Sequence, residues 1–325
     1  MMRNTRRSGR TRPLPPALLA AALLLLGAAH APAQDDNVIR SESNQVFVPV
    51  SVSTVEGEPV TDLKRTDFHV LENGIEQELA NWAHEEVPLN VVFLMDASHS
   101  EFMEMTAIKK AIRAFAAELH AQDRIALVTF NAEARLILNW SNDRERLDKA
   151  LDRVFPKGNT VWYDALYVVQ KDLLPQVQGK KVIVSVTDGW DTGSLVKFQE
   201  VLDTCLQSDA QIYIFGKTES IREYAEYFKR EYGAKYDETG LMKVMYAAES
   251  QIRKLTSETG GRVVDLAKSD KLETLYRKLI KELRMQYYLS YQPYNMEKDG
   301  TYREIKVRVD RPGMVIHHRR GYNAK

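Results

Sequence analysis

The sequence predicts an α/β protein: a doubly wound, mainly parallel sheet flanked by helices, inserted in a small β-sandwich formed by N- and C-terminal strands. Three observations carry this. Between residues 87 and 285, apolar runs of strand length alternate with amphipathic segments of helical period, the pattern of parallel strands joined by right-handed crossovers. On either side, residues 34–86 and 286–325 show apolar residues at period two with turn signals between them. Neither flank has enough strands to close a sandwich alone, so the two are expected to pair, which brings the ends of the central domain together.

The chain has 325 residues, enough for one good-sized core and a smaller second one. Arg3, Arg6, Arg7, Arg10 and Arg12 precede an apolar run over 17–29 and then Ala31-Pro32-Ala33. This is the order of a secretory leader, residues 1–33, with cleavage expected after Ala33. The mature chain is then periplasmic or extracellular, without a transmembrane span, or membrane-anchored if the leader stays uncleaved. Removing the leader takes five arginines and no acid from 45 basic and 45 acidic residues, leaving 40 against 45, a net charge of −5. A mildly acidic chain without a basic run is not expected to bind nucleic acid. The single cysteine, Cys205, shares an apolar helix face with Val201 and Leu202 and reads as a small buried hydrophobe.

In order, Val46, Val48 and Val50 alternate with Phe47, Pro49 and Ser51; Glu56-Gly57-Glu58-Pro59 is a turn; and Phe68, Val70 and Leu71 lead into the hairpin signal Asn73-Gly74. Residues 91–95 form a buried strand ending abruptly at Asp96. Ile108, Ile112, Phe115 and Leu119 mark a helix; 124–130 is a strand with an edge partner at 134–138. Residues 142–154 are helical, with Asp143 in the first turn, where negative charge is favoured. A loop over 155–160 leads into a helix over 161–174, then a buried strand over 181–187 ends at Asp188-Gly189. A helix over 195–207, a strand over 211–215, a helix over 248–259 stopped by Gly260-Gly261, a strand over 262–265 and a helix over 271–285 complete the series. Residues 218–245 fit neither texture; Tyr224 and Tyr227 stand there among charges and are expected to form a flap or one wall of a site. Beyond 286 the strands resume, with Ile305, Val307 and Val309 alternating with Lys306 and Arg308.

Ligands of an open parallel sheet sit beyond the carboxyl ends of its strands. Three oxygen-bearing pieces fall there: Asp96-Ala97-Ser98-His99-Ser100, Thr160 in a Gly-Asn-Thr loop, and Thr187-Asp188-Gly189. Together they resemble the metal-ion-dependent adhesion site of von Willebrand factor type A domains, a Rossmann-like fold; the resemblance covers about residues 88–283. The flanking stretches 48–52, 63–68 and 299–307, with Arg320-Gly321-Tyr322, are similar to the VWFA-related Acidobacterial domain family. The resemblance implies that Ser98, Ser100 and Thr160 give hydroxyl oxygens to a divalent cation, while Asp96 and Asp188 act directly or through coordinated water. Mg²⁺ suits such a set, with Mn²⁺ or Ca²⁺ as alternatives, because it is hard, prefers six oxygens and keeps waters. It implies further that a partner protein supplies a Glu or Asp carboxylate. Glu101 departs from the small or apolar residue common at its position and is expected on the ligand rim with His99, Trp190 and Asp191; Asp191 could also serve as a cap or an outer acid. The activity so implied is adhesion or protein–protein interaction, with an assembly or scaffold subunit of an envelope complex as the alternative.

Catalysis is not expected. A serine hydrolase would place glycines around its nucleophile, and Ala97-Ser98-His99 has none; an aspartyl-phosphate enzyme would want an acid where Ser98 stands. The chain has no phosphate-binding Gly-x-x-x-x-Gly-Lys loop. His317 and His318, adjacent in a strand, point to opposite faces and cannot pair on zinc.

Overall fold

The computed structural model describes residues 45–84, 87–98, 105–187, 191–216, 230–231, 233, 240–265 and 272–324. The expected leader lies outside them. Four strands come first: β1 (Val46–Ser53), β2 (Phe68–Glu72), β3 (Ile75–Gln77) and β4 (Leu79–Ala83). β2 and β3 form the hairpin that Asn73-Gly74 announces, both turn residues adopting positive φ, 48° and 82°.

The α/β series follows as β5 (Leu89–Asp96), α1 (Met105–Ala117), β6 (Arg124–Phe130), β7 (Ala134–Ser141), α2 (Arg144–Asp152) and α3 (Trp162–Val168). It continues with β8 (Lys180–Val186), α4 (Phe198–Gln207), β9 (Gln211–Gly216), α5 (Leu241–Glu258), β10 (Val263–Asp265) and α6 (Leu272–Arg284). Among the described residues these strands form one sheet in the order β10-β9-β8-β5-β6-β7, parallel except for the edge strand β7. Every residue of β5 is buried, because helices cover both faces. Val91, Phe93 and Met95 face the core shared with α1, α2 and α6; Val92 and Leu94 face that of α3, α4 and α5. The chain leaves β5 for β6 on one side and returns to β8 on the other, so the strand order reverses at β5. That reversal opens a crevice beyond the ends of β5 and β8.

The chain ends with β11 (Tyr287–Tyr291), β12 (Tyr302–Val309), β13 (Val315–His318) and β14 (Gly321–Asn323). They interleave with the N-terminal strands in two antiparallel sheets, β13-β1-β11-β4 and β14-β12-β2-β3. Val48, Val50, Tyr287 and Leu289 of one sheet meet Phe68, Val70, Ile305 and Val307 of the other in a single apolar cluster, which makes the pair a sandwich. Inside it Glu72 accepts from the Tyr291 and Tyr322 hydroxyls at 2.7 and 2.8 Å and pairs with the buried Arg303. The sandwich packs on the α/β layers within one unit, Ser43–Lys325. Arg319 donates to the Leu206 carbonyl at the end of α4 at 2.6 Å, and the buried Lys180 donates to Gln286.

Some elements differ from expectation. The helix expected over 161–174 stays α-helical only to Val168, widens to a π-turn over Val169–Leu173 and closes in a 3₁₀ turn over Leu174–Gln176, since Pro175 has no N–H to continue the ladder. α4 starts at Phe198, because the Leu195 and Val196 amides donate to Asp164 instead of opening a helix. α5 starts seven residues before the expected 248, so residues 241–245, expected to belong to an insertion in the α/β domain over 218–245, are its start. Tyr224 and Tyr227 lie outside the described residues.

Candidate functional site

Asp96 ends β5 with no solvent exposure. Its Oδ1 accepts from the Ser98 amide at 2.9 Å, a local turn that short acids favour, and its Oδ2 accepts from the Thr187 hydroxyl at 3.1 Å. The carboxylate is therefore held on both oxygens, by its own loop and by the loop after β8. Ser98 is buried beside it. Ala97 fixes the third piece: its amide donates to the Phe130 carbonyl at the end of β6, and its carbonyl accepts from the Lys157 amide at 2.9 Å. The loop that carries Thr160 is thereby tied to the end of β5. The Val161 amide, donating to the Asn131 carbonyl at 2.9 Å, ties it to β6 as well.

Thr160 is also buried, and its backbone is enclosed by the loop after β8. Its carbonyl accepts from the Thr192 and Gly193 amides, both at 3.0 Å, and its amide donates to the Thr192 hydroxyl at 3.2 Å. Trp162, two residues on, is wholly buried and donates through Nε1 to the Ser185 hydroxyl of β8 at 3.0 Å. Asp191 lies on the outside of this arrangement. Its Oδ2 accepts from the Tyr163 amide at 3.0 Å and from the Ser194 hydroxyl at 2.5 Å, and its Oδ1 from the Ser194 amide. It thus caps the first turn of α3, whose own cap residue, Val161, has no side-chain acceptor. Burial pushes the neighbouring Tyr163 hydroxyl above its ordinary pKa, with the Asp191 charge adding to the push.

Of the residues singled out in the sequence, Asp96, Ser98, Thr160 and Asp191 are therefore described. Ser100, Asp188, His99, Glu101 and Trp190 lie outside the described residues. Four contributors were assigned no role from the sequence: the Thr187 hydroxyl, Asn131, Thr192 and Asp164. The first could have been suspected, since it precedes Asp188 at a strand end; the others act through hydrogen bonds to residues about 30 positions away.

The described side chains present hard oxygen donors, and Cys205 is remote on α4, its thiol pushed up by burial to about 12. Such a set fits Mg²⁺, Mn²⁺ or Ca²⁺ and not a thiolate-bound metal. Among the described residues no three His, Cys, Asp or Glu side chains gather as a metal cluster. A set built on hydroxyls with one described acid would not form such a cluster.

A buried acid and hydroxyls from separate loops thus stand where the strand order of a doubly wound sheet reverses, the place where α/β domains of this class present ligands. Residues 91–190 match the family model of the von Willebrand factor type A domain, and the chain carries a domain of this type. No curated protein matches the chain. Among solved structures it is similar to the conserved hypothetical protein BatB from Bacteroides thetaiotaomicron, with 15% identity over 60% of this chain and 98% of that one and a TM-score of 0.45. It is similar also to the vWF domain of the type V pili tip protein Mfa5 from Porphyromonas gingivalis, with 20% identity, 33% and 40% coverage and a TM-score of 0.31. A third is proximal thread matrix protein 1 from the mussel byssus with a zinc-occupied MIDAS motif, with 16% identity, 66% and 50% coverage and a TM-score of 0.45. The chain spans half or less of the last two proteins.

Proposed function

We propose that this is an exported protein that binds a protein ligand through a divalent cation, held by Asp96, Ser98, Ser100, Thr160 and Asp188 in an α/β domain spanning about residues 87–285. The observation that carries the reading is the double restraint on Asp96 by Ser98 and Thr187 at the strand-order reversal. A carboxylate so fixed and so buried is suited to orienting oxygen ligands around a cation. With Asp96 and Asp188 acting through coordinated water, the neutral hydroxyls of Ser98, Ser100 and Thr160 leave that cation under-compensated, so it attracts a further anionic ligand, a Glu or Asp carboxylate of the partner. When bound, the ion supplies the positive charge that the partner's carboxylate recognises. The chain's own residues orient it and keep water from its inner side. The test is capture of a partner from envelope extracts in Mg²⁺ and in EDTA, with wild type and Asp96→Ala, and with glutarate as competitor. Capture that needs Mg²⁺, fails in Asp96→Ala and yields to glutarate supports the reading; capture indifferent to EDTA refutes it.

A further inference from the structure

A cleft of about 760 Å³ lies between the α/β layers and the sandwich, at the N-terminal ends of β9 and β10 and thus at the opposite edge of the sheet from Asp96. Gly260 and Gly261 form its floor. A Cβ on Gly260 would sit 2.7 Å from the Arg319 amide, and one on Gly261 1.9 Å from the Ile212 carbonyl oxygen. Close passage of the sandwich over Gly260, and of Gly261 over β9, thus requires glycines at the foot of the cleft.

The walls are basic. Arg253, Lys254, Arg262, Lys306 and Arg320 line the cleft against one lining acid, Glu304. Arg253 and Arg262 are neutralised by Glu249 and Glu282, at 2.8 and 2.6 Å. Lys254, Lys306 and Arg320 make no ion pair among the described residues, and they come from three elements on both sides of the gap: α5, β12 and the segment after β13. All three are exposed, so water screens their repulsion, and an anion bound between them would lower it further. Three positive charges less the one of Glu304 leave about two to balance, which is the charge of a phosphomonoester near neutral pH and twice that of a single carboxylate. The volume is that of a small-molecule site.

We propose that this cleft is a second ligand site, taking a phosphate-bearing anion between Lys254 of the α/β domain and Lys306 and Arg320 of the sandwich. The phosphate belongs either to a soluble compound or to a lipid headgroup, and the test separates the two. The full chain is titrated in EDTA with inorganic pyrophosphate by calorimetry, and separately with phosphatidylcholine vesicles with and without phosphatidic acid. Lys254→Glu/Lys306→Glu is compared with Arg146→Glu, an exposed charge reversal on α2; both should melt as wild type does without ligand. Binding of pyrophosphate, weakened at least about tenfold in the double variant and unchanged in Arg146→Glu, establishes the site with a soluble ligand. Binding only of phosphatidic acid vesicles, lost in the same double variant, establishes it with a lipid source. Absence of both, equal binding by the double variant, or an equal response to sulfate at matched ionic strength overturns the proposal.

Discussion

Trp162→Phe tests whether the Thr160 loop is anchored through its buried indole. Two losses add. The Ser185 hydroxyl, itself without solvent exposure, loses its donor at 3.0 Å, which costs roughly 1–3 kcal/mol as the penalty of leaving a buried polar group unpaired. The phenyl ring is smaller by roughly 40 Å³, and at ~24 cal/mol per Å³ of unfilled space this adds about 1 kcal/mol. The total is about 3 kcal/mol. Ser185→Ala alone strands the indole N–H and should cost about 1–2 kcal/mol. In the double variant the hydrogen-bond penalty is counted once, so its cost should fall short of the sum by about 1 kcal/mol. Urea denaturation followed by far-UV circular dichroism measures all three. Additivity within about 0.3 kcal/mol would show that the two side chains do not act as a pair and would remove this anchor from the account.

Glu72→Gln should cost about 3–5 kcal/mol by calorimetry, because it leaves the buried Arg303 guanidinium without its carboxylate; Arg113→Ala, which breaks pairs on the surface, should cost less than about 1. Gly261→Ala should not yield folded protein, its Cβ falling 1.9 Å from a carbonyl oxygen, whereas Gly57→Ala meets nothing within 4 Å and should cost only about 1–2 kcal/mol for its positive φ; soluble yield and melting distinguish them. His318 accepts from the Val307 amide at 3.2 Å through Nε2 while Nδ1 lies 2.6 Å from the Arg319 carbonyl, an arrangement that only the neutral ring satisfies. Burial, chiefly, pushes its pKa below the ordinary value, helped by Arg320 and His317 and opposed by the Arg319 carbonyl. A depressed histidine pKa gives stability that is present above the unfolded value of ~6.5 and is lost as pH falls through the folded one. Stability should therefore drop from pH 7 to 5, and less so in His318→Gln. His69, raised chiefly by Glu76 and then Asp310, has the opposite sign, so the comparison is best made in His69→Gln. Equal slopes with and without His318 would contradict the assignment.

The layers could be read from the chain because burial on both faces forces near-continuous apolar strands such as 91–95, and one-sided helices such as 108–119 must cover them. The place of Asp96 was legible for the same reason, an acid closing an otherwise apolar strand. What could not be read is long-range. Nothing in Thr187 announces an acceptor 91 residues away, nor in Thr192 a donor 32 residues away. Asp191 and Asp164 resemble ordinary loop and helix acids until the loop over 191–196 is seen wrapped around the first turn of α3. The early start of α5 was hidden because no Ser, Thr, Asp or Asn cap precedes Leu241, Gly240 standing there instead, whereas its end was marked by Gly260-Gly261. The partnership of the two flanks followed from their shortness, but their interleaved order, β1 against β11 and β2 against β12, depends on cross-strand packing that period-two patterns leave open.

The central claim is that Asp96 and its companions hold a divalent cation. Calorimetric titration of the full, metal-stripped chain with Mg²⁺ tests it most directly, beside Asp96→Ala and the milder Thr160→Val, each first shown to melt as wild type does in EDTA. The account predicts one saturable site per chain in the wild type, weakened in Thr160→Val and absent in Asp96→Ala. The same stoichiometry and affinity in all three proteins, or no binding by the wild type to Mg²⁺, Mn²⁺ or Ca²⁺, would contradict it.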